Sequence, residues 1–236
     1  YPYSKPEVTK SDILEVKKVL EGGYLSQGEK IQEFEFELSK TFKSQNIIVC
    51  NSGTAALHLI YMALGLGPKA GLLTSPITFL ATANAAKMCN APVIFADVDH
   101  KSGLLTADTI EHALKTSKFK IKVITLVHLG GKLCDLESIS EVAKKYNCLI
   151  VEDASHAPGA VYYNEKYKKS KIGSNNYSIA STFSFNAIKH IAMGEGGCVA
   201  TNDSNIANKI RSLRSHGMLR NKDKFLYKQV ENAPWY

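Results

Sequence analysis

The sequence predicts an α/β fold built on a mostly parallel sheet, and three observations predict it. Short apolar, β-branched runs alternate with longer stretches whose apolar residues recur at helical spacing, the pattern of strands joined by crossover helices. The 236 residues suffice for one sizeable core and at most a small second domain. Hydrophobic and charged contents of 44% and 22% are ordinary for a globular chain, with no internal repeat and no low-complexity tract.

The strand candidates, seven in all, are Asn46 to Cys50, Gly71 to Ser75, Val93 to Val98, Lys122 to His128, Cys148 to Asp153, Ile179 to Phe185 and Gly197 to Thr201. Helices are expected over Ser11 to Glu21, Ile31 to Phe42, Thr54 to Leu64, Thr78 to Met88, Ala107 to Lys115, Leu136 to Tyr146 and Asn205 to Arg214. Ile13, Val16 and Leu20 share one face of the first, and Thr9 with Asp12 fits a capping box ahead of it. Asp135 and Asp203 are expected to cap the last two.

Composition narrows the function. No apolar run approaches the about 20 residues that span a bilayer, and the N-terminus lacks a signal-peptide layout. Five cysteines, an odd count without a C-x-x-C pair, point to reduced thiols in a cytoplasm and not to a metal site or disulfide framework. The net charge of +7 comes from scattered lysines and one short cluster from Tyr163 to Lys171, read as a solvated face. No dense basic stripe or module marks a nucleic-acid binder. The missing initiator Met and the terminal Trp235-Tyr236 suggest a piece of a longer protein.

In sheets of this kind ligands bind beyond the carboxyl ends of the strands, so the loops there carry the chemistry. Ser52-Gly53-Thr54-Ala55 opens a helix after the first strand, as a phosphate cup or as an ordinary N-cap. It has no Walker lysine and is not G-x-G-x-x-G. Phe79, after the second strand, either stacks on a planar ring or joins the core. Asp153 ends the fifth strand, where a buried carboxylate needs a partner such as a protonated pyridine nitrogen, or else serves as a helix cap. His156, three residues on, can bond a ring substituent. Ser184 reaches the same region unless its hydroxyl is spent on backbone. Lys189 lies between an apolar strand and the Gly194-Glu195-Gly196-Gly197 turn, a setting in which a neutral amine can form a Schiff base with an aldehyde cofactor.

Together, Asn51-Ser-Gly-Thr-Ala-Ala-Leu57, Thr78-Phe79, Asp153-Ala-Ser-His156 and Phe183-Ser-Phe185 with Lys189 and the glycine turn resemble the DegT/DnrJ/EryC1/StrS family of sugar aminotransferases. The resemblance covers essentially the whole chain. It implies the aspartate-aminotransferase fold (type I), of which residues 1–236 would be the large domain with its N-terminal segment. It implies pyridoxal 5'-phosphate as cofactor, with Lys189 as Schiff-base lysine and proton shuttle. Asp153 would keep the pyridine nitrogen protonated, Phe79 would stack on the ring and His156 would contact its 3'-oxygen side. Gly53, Thr54, Ala55 and Ser184 would hold the phosphate. Tyr3 and Gly23-Tyr24-Leu25-Ser26, with Gly53 and Ser184, match positions lining a nucleotide-sugar site.

Within the family, Tyr3-Ser-Lys-Pro6, Asp153-Ala-Ser-His-Ala157 and Arg214-Ser-His-Gly-Met218 are most similar to the pseudaminic acid type. That type implies amination at C4 of a UDP-4-keto-6-deoxy-N-acetylhexosamine, with L-glutamate as donor and a homodimer sharing its active sites. Legionaminic- and perosamine-type substrates are the near alternatives, and a silent cofactor-binding or regulatory fragment is the distant one. A C3 dehydratase of this fold carries His in place of the lysine, which Lys189 opposes. Asn186 departs from the family, whose pseudaminic-type members usually carry His there. A family motif reaching the partner's phosphate, and a C-terminal small domain, are expected after residue 236.

Overall fold

The computed structural model describes residues 5–164, 166 and 168–218. In chain order the elements are α1 (Lys10–Glu21), α2 (Glu29–Phe42), β1 (Asn46–Cys50), α3 (Gly53–Leu64), β2 (Gly71–Thr74), α4 (Ala81–Met88), β3 (Val93–Phe95) and α5 (Ala107–Thr116). There follow β4 (Ile121–Val127), α6 (Leu136–Lys145), β5 (Leu149–Asp153), β6 (Val161–Tyr163), β7 (Lys169–Lys171), β8 (Ala180–Ser184), β9 (Gly197–Thr201) and α7 (Ser204–Arg214). Seven strands form one mixed sheet in the order β1-β9-β8-β5-β4-β2-β3. Only β9 runs against its neighbours.

Helices cover both faces. Leu38 and Phe42 of α2, Ile110 of α5 and Ile139 of α6 pack with Ile124, Ile150 and Phe183 on one side. On the other, Leu57, Ile60 and Tyr61 of α3, Ala85 of α4 and Ile210 of α7 pack with Val123, Val151 and Val199. Strand alternation assigns each residue to a face. On β5 Val151 belongs to the α3 side and Ile150 to the other, so Asp153 falls on the α3 side and Glu152 opposite it. On β8 Phe183 is buried against Phe42, ring centroids 4.0 Å apart, which turns Ser184 toward α3.

The expected helix starts hold where a cap drives them. Thr9 and Asp12 form the reciprocal box, Asp135 accepts from Ser138 N and Asp203 accepts from Asn205 and Ile206 N. Three expectations are corrected. Helix α4 begins at Ala81, not Thr78, because Thr78 and Phe79 form the turn leading into it. Strand β3 stops at Phe95, where pairing with β2 ends at Thr74. The lysine cluster is no featureless face: β6 and β7 pair there as a separate antiparallel ribbon. Helix α1 buries no residue, and Ile13, Val16 and Leu20 are exposed. Among the described residues no helix is long and apolar enough to cross a membrane.

Candidate active site

The ends of β1, β5 and β8 and the start of β9 lie at one edge of the sheet. Ser184 pairs with Gly197, and Gly197 pairs with Cys50. Helix α3 starts just past β1 and crosses this edge in close contact. A Cβ on Gly197 would lie 2.5 Å from the carbonyl of Ser52, and one on Gly53 would lie 2.8 Å from Ser184 Cβ. Only hydrogen fits at either position, so the two glycines let the helix N-terminus sit directly on Ser184.

Ser52 caps α3 by accepting from Ala55 N at 3.1 Å. The cap and the cup are therefore not exclusive. Ser52 uses the Ala55 N–H, while the N–H groups of Gly53 and Thr54 have no described partner. Free first-turn donors at the positive end of a helix dipole are a standing site for an anion.

Asp153 is 6% exposed and both its oxygens are engaged. Thr82 Oγ1 donates to Oδ2 at 2.8 Å and Ser155 Oγ donates to Oδ1 at 2.7 Å. Thr78 in turn donates to Thr82, 2.8 Å away. These hydroxyls offset the cost of burying the carboxylate and fix its plane. The sequence pattern does not mark Thr82, whereas Ser155 stands inside the Asp153-Ala-Ser-His156 run without a role of its own. Thr82 lies 71 residues from Asp153 and no local motif links them.

Lys189 lies in the loop joining β8 to β9. That loop is closed by Phe185 N to Gly196 O, Ala187 N to Gly194 O and Lys189 N to Asn186 O, at 2.8, 3.0 and 2.8 Å. Asn186 braces it from the side, donating to Glu195 Oε1 at 2.9 Å and accepting from Ile188 N at 3.3 Å. Partial burial lowers the Lys189 pKa from its ordinary value, while the nearby Asp153 carboxylate opposes the shift. Desolvation wins, moving Lys189 toward the neutral amine an imine-forming lysine needs.

His156 Nδ1 accepts from Gly130 N at 3.2 Å. Burial, then Lys189 and His190, lower its pKa, with Asp153 pulling the other way. The ring is therefore neutral, and with Nδ1 accepting, Nε2 carries the proton as a donor. Phe79 is 74% exposed; the core reading of this ring is corrected, and its face is open for stacking.

The structure thus brings Gly53, Thr54, Ala55, Asp153, His156, Ser184 and Lys189 to one edge, with Phe79 on the turn before α4. Gly23, Tyr24, Leu25 and Ser26 lie on the exposed connector between α1 and α2. Among the described residues, no hydrogen bond joins that connector to Gly53, Ser184 or Lys189. Tyr3 lies outside the described residues.

The set suits a planar cofactor carrying an aldehyde, a protonatable ring nitrogen and a phosphate: an amine, a clamped carboxylate, a neutral imidazole donor and an anion cup. A sequence model described as the DegT/DnrJ/EryC1/StrS aminotransferase family matches residues 6–232. The chain is 39% identical over 235 residues to the Bacillus subtilis (strain 168) spore coat polysaccharide biosynthesis protein SpsC, covering 100% of this chain and 57% of that protein. It is 39% identical over 218 residues to the UDP-4-amino-4,6-dideoxy-N-acetyl-beta-L-altrosamine transaminase of Campylobacter jejuni (serotype O:23/36), covering 92% and 56%. Its fold superposes on Helicobacter pylori PseC, an aminotransferase involved in the biosynthesis of pseudoaminic acid, with a TM-score of 0.84, 31% identity and coverage of 100% and 61%. The chain spans little more than half the length of the curated relatives it matches.

Proposed function

We propose, for a chain that belongs to the DegT/DnrJ/EryC1/StrS aminotransferase family, the large cofactor-binding part of an enzyme that aminates C4 of a UDP-4-keto-6-deoxy-N-acetylhexosamine with L-glutamate as donor. The observation that carries this reading is the shared edge where partly desolvated Lys189 lies near clamped Asp153 and neutral His156, beside the free end of α3.

Pyridoxal 5'-phosphate, when bound, supplies the electron sink that makes loss of a proton from the donor's Cα feasible. The chain's own residues do the rest. Lys189, held toward the neutral form, accepts that proton and returns it, acting as base and then as acid. Asp153, its carboxylate fixed by Thr82 and Ser155, would pair with the ring nitrogen and favour its protonated form. His156, with Nδ1 taken by Gly130 N–H, would offer Nε2–H to the ring oxygen. Gly53 and Thr54 N–H, with the Ser184 hydroxyl and the neighbouring Ala55 turn, would hold the phosphate. Phe79, exposed on the turn before α4, would cover one ring face.

Tyr3 and Gly23 to Ser26 are assigned to the nucleotide sugar. The enzyme is proposed to work as a homodimer in the cytoplasm. The five cysteines, all free, suit a reducing compartment.

A second reading, within the family that the chain shares, is the same chemistry on another 4-keto nucleotide sugar. An assay of the full-length protein with glutamate and a panel of 4-keto nucleotide sugars separates the two. Amination of the UDP-4-keto-6-deoxy-N-acetylhexosamine is expected. Turnover of a different sugar alone would transfer the assignment to that substrate, and no amination of any would overturn the activity.

A further inference from the structure

Behind the site, on the opposite face of the sheet, lies a buried polar pair that the proposed chemistry does not use. His128 and Glu152 are 0% and 2% exposed, and His128 Nε2 lies 2.9 Å from Glu152 Oε2. The other carboxylate oxygen accepts from the Ser178 hydroxyl, and the single Ser181 hydroxyl proton is shared between it at 3.2 Å and Asn175 Oδ1 at 2.7 Å. His128 Nδ1 accepts from Cys134 N at 3.2 Å. Burial lowers the His128 pKa, but Cys134 and Glu152 outweigh it and raise it to about 9. The Cys134 N–H points at Nδ1, and the Nε2–H faces Glu152 and donates to it.

Between the two residues tied by this ring, 128 and 134, the chain makes one tight turn. Gly131 N donates to His128 O and Lys132 N to Leu129 O, both at 3.1 Å. Gly130 and Gly131 have φ of 62° and 83°, a region that favours glycine. A Cβ on Gly131 would come within 3.1 Å of His156 O. At the tip, Gly130 N–H meets His156 Nδ1. His128 N also donates to Asp153 O at 3.1 Å, tying the base of the turn to the strand that carries the site carboxylate.

We propose that Glu152 and His128 are positioning residues for His156: they anchor the 128–134 turn so that Gly130 N–H holds Nδ1 as the acceptor and commits Nε2 to donate. Replacing a buried charged partner by a group that cannot bond leaves the other side unsatisfied, and the turn is what can move to relieve it. The proposal rests on the reading of His156 as a site residue, but the hydrogen bond it concerns does not need the cofactor.

The test is nitrogen-15 NMR of the full chain, with and without pyridoxal 5'-phosphate, reading the His156 tautomer and the coupling across Gly130 N–H to Nδ1. The wild type should show a single Nε2–H tautomer with that coupling present; its absence would overturn the proposal. Glu152→Ala should lose the coupling and populate both tautomers. Glu152→Gln, which can still accept from His128 Nε2–H, should restore the wild-type pattern. A folded Glu152→Ala with unchanged coupling, or a Gln variant no better than Ala, would overturn the mechanism. Should the alanine variant not fold, Glu152→Asp, one methylene short, should weaken the coupling; no change would count against the proposal. Failure to bind the cofactor would leave these readings intact and would tell against the proposed function instead.

Discussion

At His156, burial and the positive charge of Lys189 favour the neutral ring while Asp153 pulls the other way. The directions of two substitutions follow. Lys189→Ala removes a positive neighbour, so protonating His156 becomes easier and its pKa should rise. Asp153→Asn removes a negative one, so the His156 pKa should fall, and that of Lys189 should fall with it because Asp153 raises it. An NMR titration of His156 reads both variants; a fall in Lys189→Ala or a rise in Asp153→Asn would contradict the arrangement. Asp153, Ser184 and Gly53 stand out in the sequence because they end a strand or open a helix, and His156, Lys189 and Phe79 because they lie in the loops that follow strands. Their supports do not: Thr82 and Gly130 reach Asp153 and His156 only through sheet order, 71 and 26 residues away in the chain.

Among the elements, the start of α3 depends on what is missing from its neighbours. Ser52→Ala should cost about 1 kcal/mol through loss of the cap to Ala55. Gly197→Ala lies on another element, yet should cost about 2 kcal/mol by pressing on the Ser52 carbonyl, an overpacking penalty. It should also weaken phosphate binding, because the shifted backbone carries the free N–H groups. Urea unfolding midpoints compare the two; a Gly197→Ala protein as stable as wild type would refute the close approach. The strands and caps of the α/β units were readable from local pattern. The ribbon β6–β7 was not, because its lysine-rich strands lack the apolar alternation that marks a strand. Apolar spacing alone starts α4 at Thr78 and not at Ala81, because it does not distinguish a turn residue such as Phe79 from a helical one.

For the molecule as a whole, one sheet separates two packed layers, and the alternation along β5 and β8 decides which face receives the chemistry. Phe183 is fully buried and stacked on Phe42. Phe183→Ala should therefore cost about 3–5 kcal/mol in denaturant unfolding, where a loss under 1 kcal/mol would mean the core closes around the gap. The fold class was legible from strand and helix alternation. The strand order, with β9 inserted antiparallel between β1 and β8, was not, because no local signal specifies which edge a returning strand joins. That insertion brings Gly197 under the start of α3 and Lys189 over the same edge. The central claim is that Lys189 is the amine that holds the cofactor. Its most direct measurement is borohydride reduction of the protein incubated with pyridoxal 5'-phosphate, followed by peptide mapping. The account predicts a single stable adduct on Lys189, lost in Lys189→Ala; an adduct on another lysine, or none, would contradict it.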